Sequence, residues 1–485
     1  MERLKQTSAL AALCMAALLS GCVSSAHRQP RIAVPATFAP YAMAGDETVL
    51  ERWWLLFDDD QLTALIGEAL AQAPDALTAF AVLDEARAVR AQALTRFQPQ
   101  GGIGLGGELR NTRVSGTADA TQGVFTGSFA PSWELGLFGR ANALRRATDG
   151  DLDAARFAFE GSRQSLASNV AGSLFEARGI AVRLLQARQT LRLSAELARV
   201  GERRVAVGIG ARADAASLQA DEASAQAAVR SFEAQLEIAR RTLLVLLGRG
   251  TQDVTALSIA PDLGRPPPVP RATPATLLVR RPDIRQAEAR LRSAAGNLQL
   301  DALALLPSVN LAPAFSLVPI VGTAGYTTSV ASVGPGISIP LFRGPLLAQV
   351  RAQRARTEQA VITYENIVQS AFGEAQNMLA RYAADRAQLT ALERAEERSR
   401  FAFEAQRAGY RAGVVDLPAL LQAERIWRTN LSTLSDLRAS ALVDAVNVFR
   451  ALGGGWPADE AAPGGVAPVA AAPAALAPTS ERKAP

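Results

Sequence analysis

The chain has 485 residues, enough for two or three ordinary domains, yet aromatic residues make up only 6% of it and alanine dominates its apolar set. Such small core residues favour close helix packing over a bulky core. The net charge of +5 comes from arginines interspersed with Asp and Glu, Lys5 and Lys483 being the only lysines, so the composition, lacking a basic run or an aromatic platform, excludes a nucleic-acid binder.

Residues 1–21 read as a secretory signal. Arg3 and Lys5 precede an apolar core from Ala9 to Leu19, too short to span a membrane as a stable helix. Leu19-Ser20-Gly21-Cys22 then resembles the bacterial lipobox, which implies an N-acyl and S-diacylglycerol lipid on Cys22. Val23 stands where Asp resembles the signal for staying in the inner membrane, so the expected address is the outer membrane. Cys14 leaves with the signal, and the mature chain is expected to hold no disulfide.

Residues 22–73 are expected to form a lipidated tether and a short segment. The stretch 23–45 carries Pro and Ala with no period. Trp53, Trp54 and Phe57, followed by Leu62, Leu65, Ile66 and Leu70, suggest one amphipathic helix. A second helix opens at Pro74-Asp75, where proline and a negative charge suit a first turn, and runs to about Phe97. Between Gly101 and Gly139 the texture becomes Gly, Thr, Ser and alternating apolar residues, which predicts two strands, 101–114 and 123–138. Gly102, Gly104, Gly106 and Gly107 are strand glycines in this reading, because no helix with a Lys-Ser/Thr pair follows them to cradle a phosphate.

A long helix is predicted over 140–207, with Ala177, Leu184, Leu191, Ala198 and Val205 at sevens. A turn and a returning helix over 214–248 follow, and two long helices joined by a short turn lie antiparallel. Residues 249–281 are a Gly- and Pro-rich linker.

The programme then repeats. Pro282-Asp283 restates Pro74-Asp75, residues 307–322 and 327–339 are again strand-like, and Leu341-Phe342-Arg343-Gly344 echoes Leu137-Phe138-Gly139-Arg140. The helix over 343–411 carries Val361, Tyr364, Val368, Ala371, Ala375, Met378 and Tyr382 in alternating steps of three and four, with a break at Asp385 before Leu389 and Leu392. At 1.5 Å per residue it runs on the order of 100 Å, roughly three times a bilayer's hydrocarbon core. Its end at Gly413 pairs with Gly210, the phrase Leu218-Gln-Ala recurs as Leu421-Gln-Ala, and a returning helix over 416–452 closes the second half. Repeat 1 therefore spans 74–248 and repeat 2 spans 282–453. The Ala- and Pro-rich tail, 454–485, reads as disordered.

The order of signal, lipobox, helix, two strands, long helix, hairpin turn and return helix, all repeated, is one ground for a resemblance. The others are Arg280-Arg-Pro-Asp-Ile-Arg-Gln-Ala-Glu-Ala-Arg-Leu-Arg292, Ile339-Pro-Leu-Phe-Arg-Gly344 and Ala451-Leu-Gly-Gly-Gly-Trp456. Together they resemble the TolC-type outer membrane efflux proteins, in the lipoprotein branch that serves multidrug pumps. The resemblance covers about residues 22–456. It implies a mainly α fold with membrane β: long antiparallel coiled-coil helices forming a periplasmic α-barrel, and four strands per chain contributed to a trimeric twelve-stranded barrel in outer membrane lipid. The strand arithmetic agrees, since four strands cannot close a membrane barrel alone. Trp133, Phe138 and Phe342 would serve as interface aromatics or pack at the barrel base.

The implied partners are two further copies, a periplasmic adaptor protein and an inner-membrane pump of the RND type; no cofactor beyond the lipid is expected. No catalytic constellation is visible: His27 is the single histidine, with no ligand set around it, so the expected work is passive conduction.

In the family the periplasmic end is closed by bonds near the two hairpin turns. Carried over, Asp214 and Tyr410 match a pair that bonds across neighbouring helices, while Val415 replaces an arginine of that lock. Gln422 stands where relatives place a ring of constricting Asp, and Arg425 fits a basic position one turn on. A Gln ring has a weaker field than carboxylates, which predicts weaker cation preference. Asp214 equally suits a helix start, and Gln422 and Arg425 equally suit a solvent-facing helix. The turns, with Val207, Gly208, Gly210, Arg411, Gly413 and Val414, are the expected adaptor-docking tips. Two other functions remain open from sequence: a protein-secretion duct on the same fold, and a coiled-coil envelope spacer without a pore.

Overall fold

The seven-residue repeats fold as long helices within two residues of their predicted ends. The computed structural model describes residues 26–33, 35, 47–112, 120–269, 273–321 and 326–456. The first half runs α1 (Asp60–Gln72), α2 (Pro74–Leu94), β1 (Ile103–Thr112), β2 (Ala120–Phe129), β3 (Trp133–Leu135), α3 (Arg140–Ala206) and α4 (Arg212–Leu246). The second runs α5 (Pro274–Arg280), α6 (Pro282–Leu303), β4 (Ser308–Leu311), β5 (Ala314–Val321), β6 (Tyr326–Ser332), β7 (Pro335–Ser338), α7 (Gly344–Arg411) and α8 (Leu417–Ala451). Among the described residues no helix is long and apolar enough to cross a membrane. The signal, Cys22 and the tail beyond Trp456 lie outside the described residues.

Two compact units share these elements. One comprises Met1–Arg31, Leu83–Arg156 and Gln286–Glu365; the other comprises Ile32–Val82, Phe157–Arg285 and Asn366–Pro485.

The first unit holds both sheets, and here the predicted strands need correction. The expected strand 123–138 breaks after Phe129, and those over 307–322 and 327–339 break likewise, each into a longer and a shorter piece. The longer pieces form an antiparallel sheet in the order β1-β2-β5-β6, and the shorter ones a second sheet, β3-β4-β7. The breaks fall at Ala130-Pro131, Ala312-Pro313 and Val333-Gly334. Proline cannot donate to a ladder and glycine weakens one, so these residues mark where a strand leaves one sheet for the next. The glycines of the first run do lie in β1, as strand glycines.

Below the sheets, α3 and α6 cross at van der Waals contact. A Cβ on Gly150 would stand 2.6 Å from the Ser293 backbone nitrogen, and one on Gly296 would stand 2.6 Å from that of Ala147. Each helix thus presents a glycine to the other's backbone. Arg140, almost fully buried, donates to the carbonyls of Leu303 and Leu306 at 3.0 and 2.7 Å and to Glu134 at 3.2 Å. Arg292 meets Asp153 at 3.0 Å. The described start of the chain also docks here: Arg28 bonds Glu358 and Glu365 at 2.8 and 2.9 Å, and the Arg31 backbone N–H donates to Glu365.

In the second unit the expected single helix around Trp53 is two. A 3-10 segment, Glu47–Phe57, ends at Asp58, whose φ of 54° breaks the chain before Asp59 caps α1 by accepting from the Leu62 N–H. Trp53 stacks on Phe449 at 5.8 Å, and Phe57 packs on Phe175 and Phe449. The linker over 249–281 also carries structure the sequence hid, the short helix α5 started by Pro274.

Two of the phrases that carried the resemblance interlock in this unit. Trp456 Nε1 donates to the Arg280 carbonyl at 2.7 Å. Arg281 donates to the Ala451 carbonyl at 3.0 Å and pairs with Asp283 and Glu374 at 2.7 and 2.8 Å. Gln164 completes the join by donating to the carbonyls of Arg450 and Gly454.

The duplication has a different register from the one expected. All four helix ends at the turns close with a glycine in the left-handed region, Gly208, Gly248, Gly413 and Gly453, where a missing Cβ removes the steric penalty. Gly413 therefore matches Gly208, not Gly210, at an offset of 205, and Gly453 matches Gly248 at the same offset. Burial agrees: Ala215, Val229, Leu236, Leu243 and Leu244 are buried, as are Leu420, Leu434, Ala441, Val448 and Phe449. The shared Leu-Gln-Ala phrase is out of that frame, since Leu218 is buried and Leu421 is not.

Candidate functional site

The sheet β1-β2-β5-β6 has one face that none of the described residues covers. In register, Ile103 faces Phe129, Leu105 faces Gly127, Gly107 faces Phe125 and Leu109 faces Gly123. Across the next ladder Phe129 faces Phe315, Gly127 faces Leu317 and Gly123 faces Val321. These side chains share one surface, and Leu105 and Leu109 are 85% and 83% exposed on it. On the reverse of β1 and β2 sit Gly104, Ser128, Gly106, Thr126, Glu108, Val124, Arg110 and Gln122. An apolar face opposite a polar one, on strands of 10 residues, is the pattern of a wall between lipid and water. β1 and β6 each pair on one side only, which leaves two open edges. In the smaller sheet Trp133 donates from Nε1 to the Phe97 carbonyl at 2.9 Å, which anchors it, while Phe342 is 90% exposed.

The two helical turns follow one plan. After α3 the Gly208 and Ile209 N–H groups return to the carbonyls of Val205 and Arg204; after α7 those of Gly413 and Val414 return to Tyr410 and Gly409. The carbonyls left over at each helix end are thereby satisfied. At the tips Val207, Ile209 and Val414 stand 68%, 68% and 81% exposed. Gly210 is held tightly: a Cβ there would lie 2.9 to 3.0 Å from Arg204 and Val205. The second return helix is capped by Asp416, which accepts from the Ala419 N–H, whereas Ala211 gives α4 no such bond.

The predicted gate residues are not all brought together. Tyr410 is held by Arg204, whose Nη1 donates to its hydroxyl at 3.0 Å while the guanidinium lies 5.6 Å from the ring centre. Asp214 is exposed in the first turn of α4, and no hydrogen bond joins it to Tyr410 within the described chain. A second tie runs from Glu196 to Arg411 at 3.4 Å and Arg407 at 3.8 Å. Gln422 and Arg425 lie on the exposed face of α8. On the opposite face Glu424 is buried and paired with Arg428, which also reaches the Ser194 hydroxyl. Burial pushes the Glu424 carboxyl above the usual range against the pull of Arg428. Close by, Phe403 and Trp427 stack at 5.0 Å, and Trp427 donates to Glu396 at 3.0 Å. Arg204 and Glu196 escaped notice in the sequence because each is one charge among many on a helix rich in them.

The profile of the outer membrane efflux protein family matches residues 65–249 and 273–454, one match on each half of the duplication. The chain belongs to that family. Among characterised relatives, this outer membrane efflux protein is 28% identical over 440 residues to the pyoverdine export outer membrane protein OpmQ of Pseudomonas putida, covering 88% of this chain and 93% of that one. It is 28% identical over 451 residues to the cation efflux system protein CusC of Escherichia coli, covering 91% and 98%. Among solved structures, the outer-membrane channel OprN superposes with a TM-score of 0.77 at 27% identity, over 89% of this chain and 100% of that one. The outer membrane efflux protein described here is thus a channel of an efflux system, placed in the outer membrane and extending into the periplasm, and it conducts without catalysing.

Proposed function

We propose that three copies of this chain close their four-stranded sheets into one twelve-stranded barrel, with the long helices continuing the duct into the periplasm. The observation that carries this reading is the sheet with an exposed apolar face and two unpaired edges. In lipid an open edge leaves backbone groups without partners, and a three-fold repeat removes every edge at once. Cys22 carries the lipid anchor in this reading. An inner-membrane pump of the RND type supplies the energy, and a periplasmic adaptor docks on the exposed residues of the tips, Val207, Ile209 and Val414, around Gly208, Gly210, Arg411 and Gly413. The cargo is a small molecule or ion, in keeping with relatives named for pyoverdine export and cation efflux.

The gate lies at the same end. Tyr410 with Arg204, and Glu196 with Arg407 and Arg411, tie the first long hairpin to the second, so an iris-like opening must break them and shifts a population between two packings. Asp214, Gln422 and Arg425, exposed in the single chain, are assigned to contacts with the neighbouring copy or to the lumen. Class averages of the detergent-extracted mature protein in the electron microscope test the assembly. A three-fold tube with a lumen is expected, and a slender rod without one refutes it. Mass spectrometry of the mature N-terminus tests the lipid at Cys22.

A further inference from the structure

A pair of buried carboxyls sits away from both surfaces just described. Asp385 on α7 interrupts the heptad seam, and it does so without turning to solvent: it is 8% exposed, and Asp444 on α8 is 5% exposed. Tyr382 on α7 and Ala441, Leu442, Ala445 and Val446 on α8 are buried at the same level. Asp444 acts on the Asp385 carboxyl both as a like charge and as a hydrogen-bonding neighbour, and the described residues give neither Asp385 Oδ2 nor Asp444 Oδ2 a hydrogen bond. Among the described residues one cation answers them. Arg381 Nε stands 2.8 Å from Asp444 Oδ2, with its own side chain 62% exposed. Arg386 acts on Tyr382, and the Pro-rich connector contributes an uncharged group, the Pro267 carbonyl that accepts from the Tyr382 hydroxyl at 2.5 Å.

Two carboxylates facing a single, largely hydrated guanidinium leave one negative charge in the seam without an answer. Like charges buried side by side do not both ionise readily. A proton held between the two removes the excess charge and supplies the donor that Asp385 Oδ2 lacks. We propose that Asp385 and Asp444 share one proton across the α7/α8 seam, and that this proton sets how firmly the two helices close at that level.

Burial, reinforced by Asp444, pushes the Asp385 carboxyl up to about 6 from its ordinary 3.8. A folded-state value raised in this way contributes stability that is full below about pH 4 and lost as the pH rises through about 6. The seam therefore tightens on acidification and loosens towards neutrality, opposite in sign to an ordinary salt-bridged carboxylate.

Hydrogen–deuterium exchange of the full mature protein, followed on segments 381–389 and 440–448 at pH 5.0 and 7.5 and corrected for intrinsic exchange, tests this. The two carboxyl values above give about tenfold greater protection at pH 5.0. In Asp385→Asn the amide donates to Asp444 permanently, so protection at pH 7.5 rises to the acidic level and the pH response disappears. In Arg381→Gln the transition moves to higher pH, because the one cation opposing protonation is gone. A wild-type seam indifferent to pH overturns the proposal, as does an Asp385→Asn protein with the full wild-type response. If Asp385→Asn does not fold, an Arg381→Gln transition unmoved from the wild-type midpoint overturns it independently.

Discussion

Replacing Arg281 by Met removes the hub where the two signature phrases meet. Its guanidinium reaches Asp283 at 2.7 Å, Glu374 at 2.8 Å and the Ala451 carbonyl at 3.0 Å, from a side chain 10% exposed. Breaking a buried ion pair from one side costs about 3–5 kcal/mol, and a carbonyl left without its donor adds about 1 kcal/mol. The carboxylates are 47% and 34% exposed, so water recovers part of that, and Arg450 stands 3.5 Å from Glu374 as a second cation. The lower end, about 3 kcal/mol, is the expected loss, equivalent to about two decades in an equilibrium constant. Urea unfolding in detergent reads it directly through tryptophan fluorescence, because Trp53 and Trp456 belong to the same unit. The double variant Arg281→Met/Glu374→Leu should recover part of the loss, since no charge is then stranded. A single variant within about 0.5 kcal/mol of wild type, or a double variant no better than the single, refutes this account of the junction.

Tyr410→Phe combined with Arg204→Ala should make cells permeable to large antibiotics while export through the intact duct continues; unchanged permeability removes this tie from the gate. Adding Asp214→Ala should increase the leak only if that residue bonds a neighbouring copy, and susceptibility measurements with and without it separate the cases. Gly296→Val drives a side chain into the Ala147 backbone and should cost about 1–3 kcal/mol or displace α6, read as a lower melting temperature. Asp59 behaves oppositely to Asp385. Burial works against its charge, yet its bonds to Arg178 and the Leu62 N–H prevail and hold it below the usual carboxylate range. Its contribution is present above about pH 4 and fades on acidification, so Asp59→Asn should flatten the acid limb of a stability profile.

The helices were legible because their signal is periodic and local. Val361, Val368, Ala371 and Ala375 are all buried as the repeat demands, and glycine marks each end. The two-sheet arrangement was not legible, because alternation in 123–138 continues through Pro131 and only pairing partners far along the chain decide which sheet receives Trp133. Asp385 read as a break for a similar reason. Its partner, Asp444, is 59 residues away on another helix, and a carboxyl in a seam looks like a fault until that neighbour is known. The repeat register was misjudged at Gly210 because a three-residue phrase repeated by chance outweighed the turn geometry.

The spacing between the two halves also records how the halves have parted. It is 208 at the helix-opening prolines, Pro74 and Pro282, and 205 at both pairs of capping glycines. It is 204 at Phe138 and Phe342, which follow the strands in each half, so the largest change in spacing falls between the opening helix and the long helix of each repeat. The long helices themselves differ by one residue, 67 in α3 and 68 in α7. One residue inserted into a helix turns everything beyond it by about 100° and points a buried seam at water. The strand region is therefore where insertions, tags and grafted epitopes should be tolerated better than in the interior of α3 or α7.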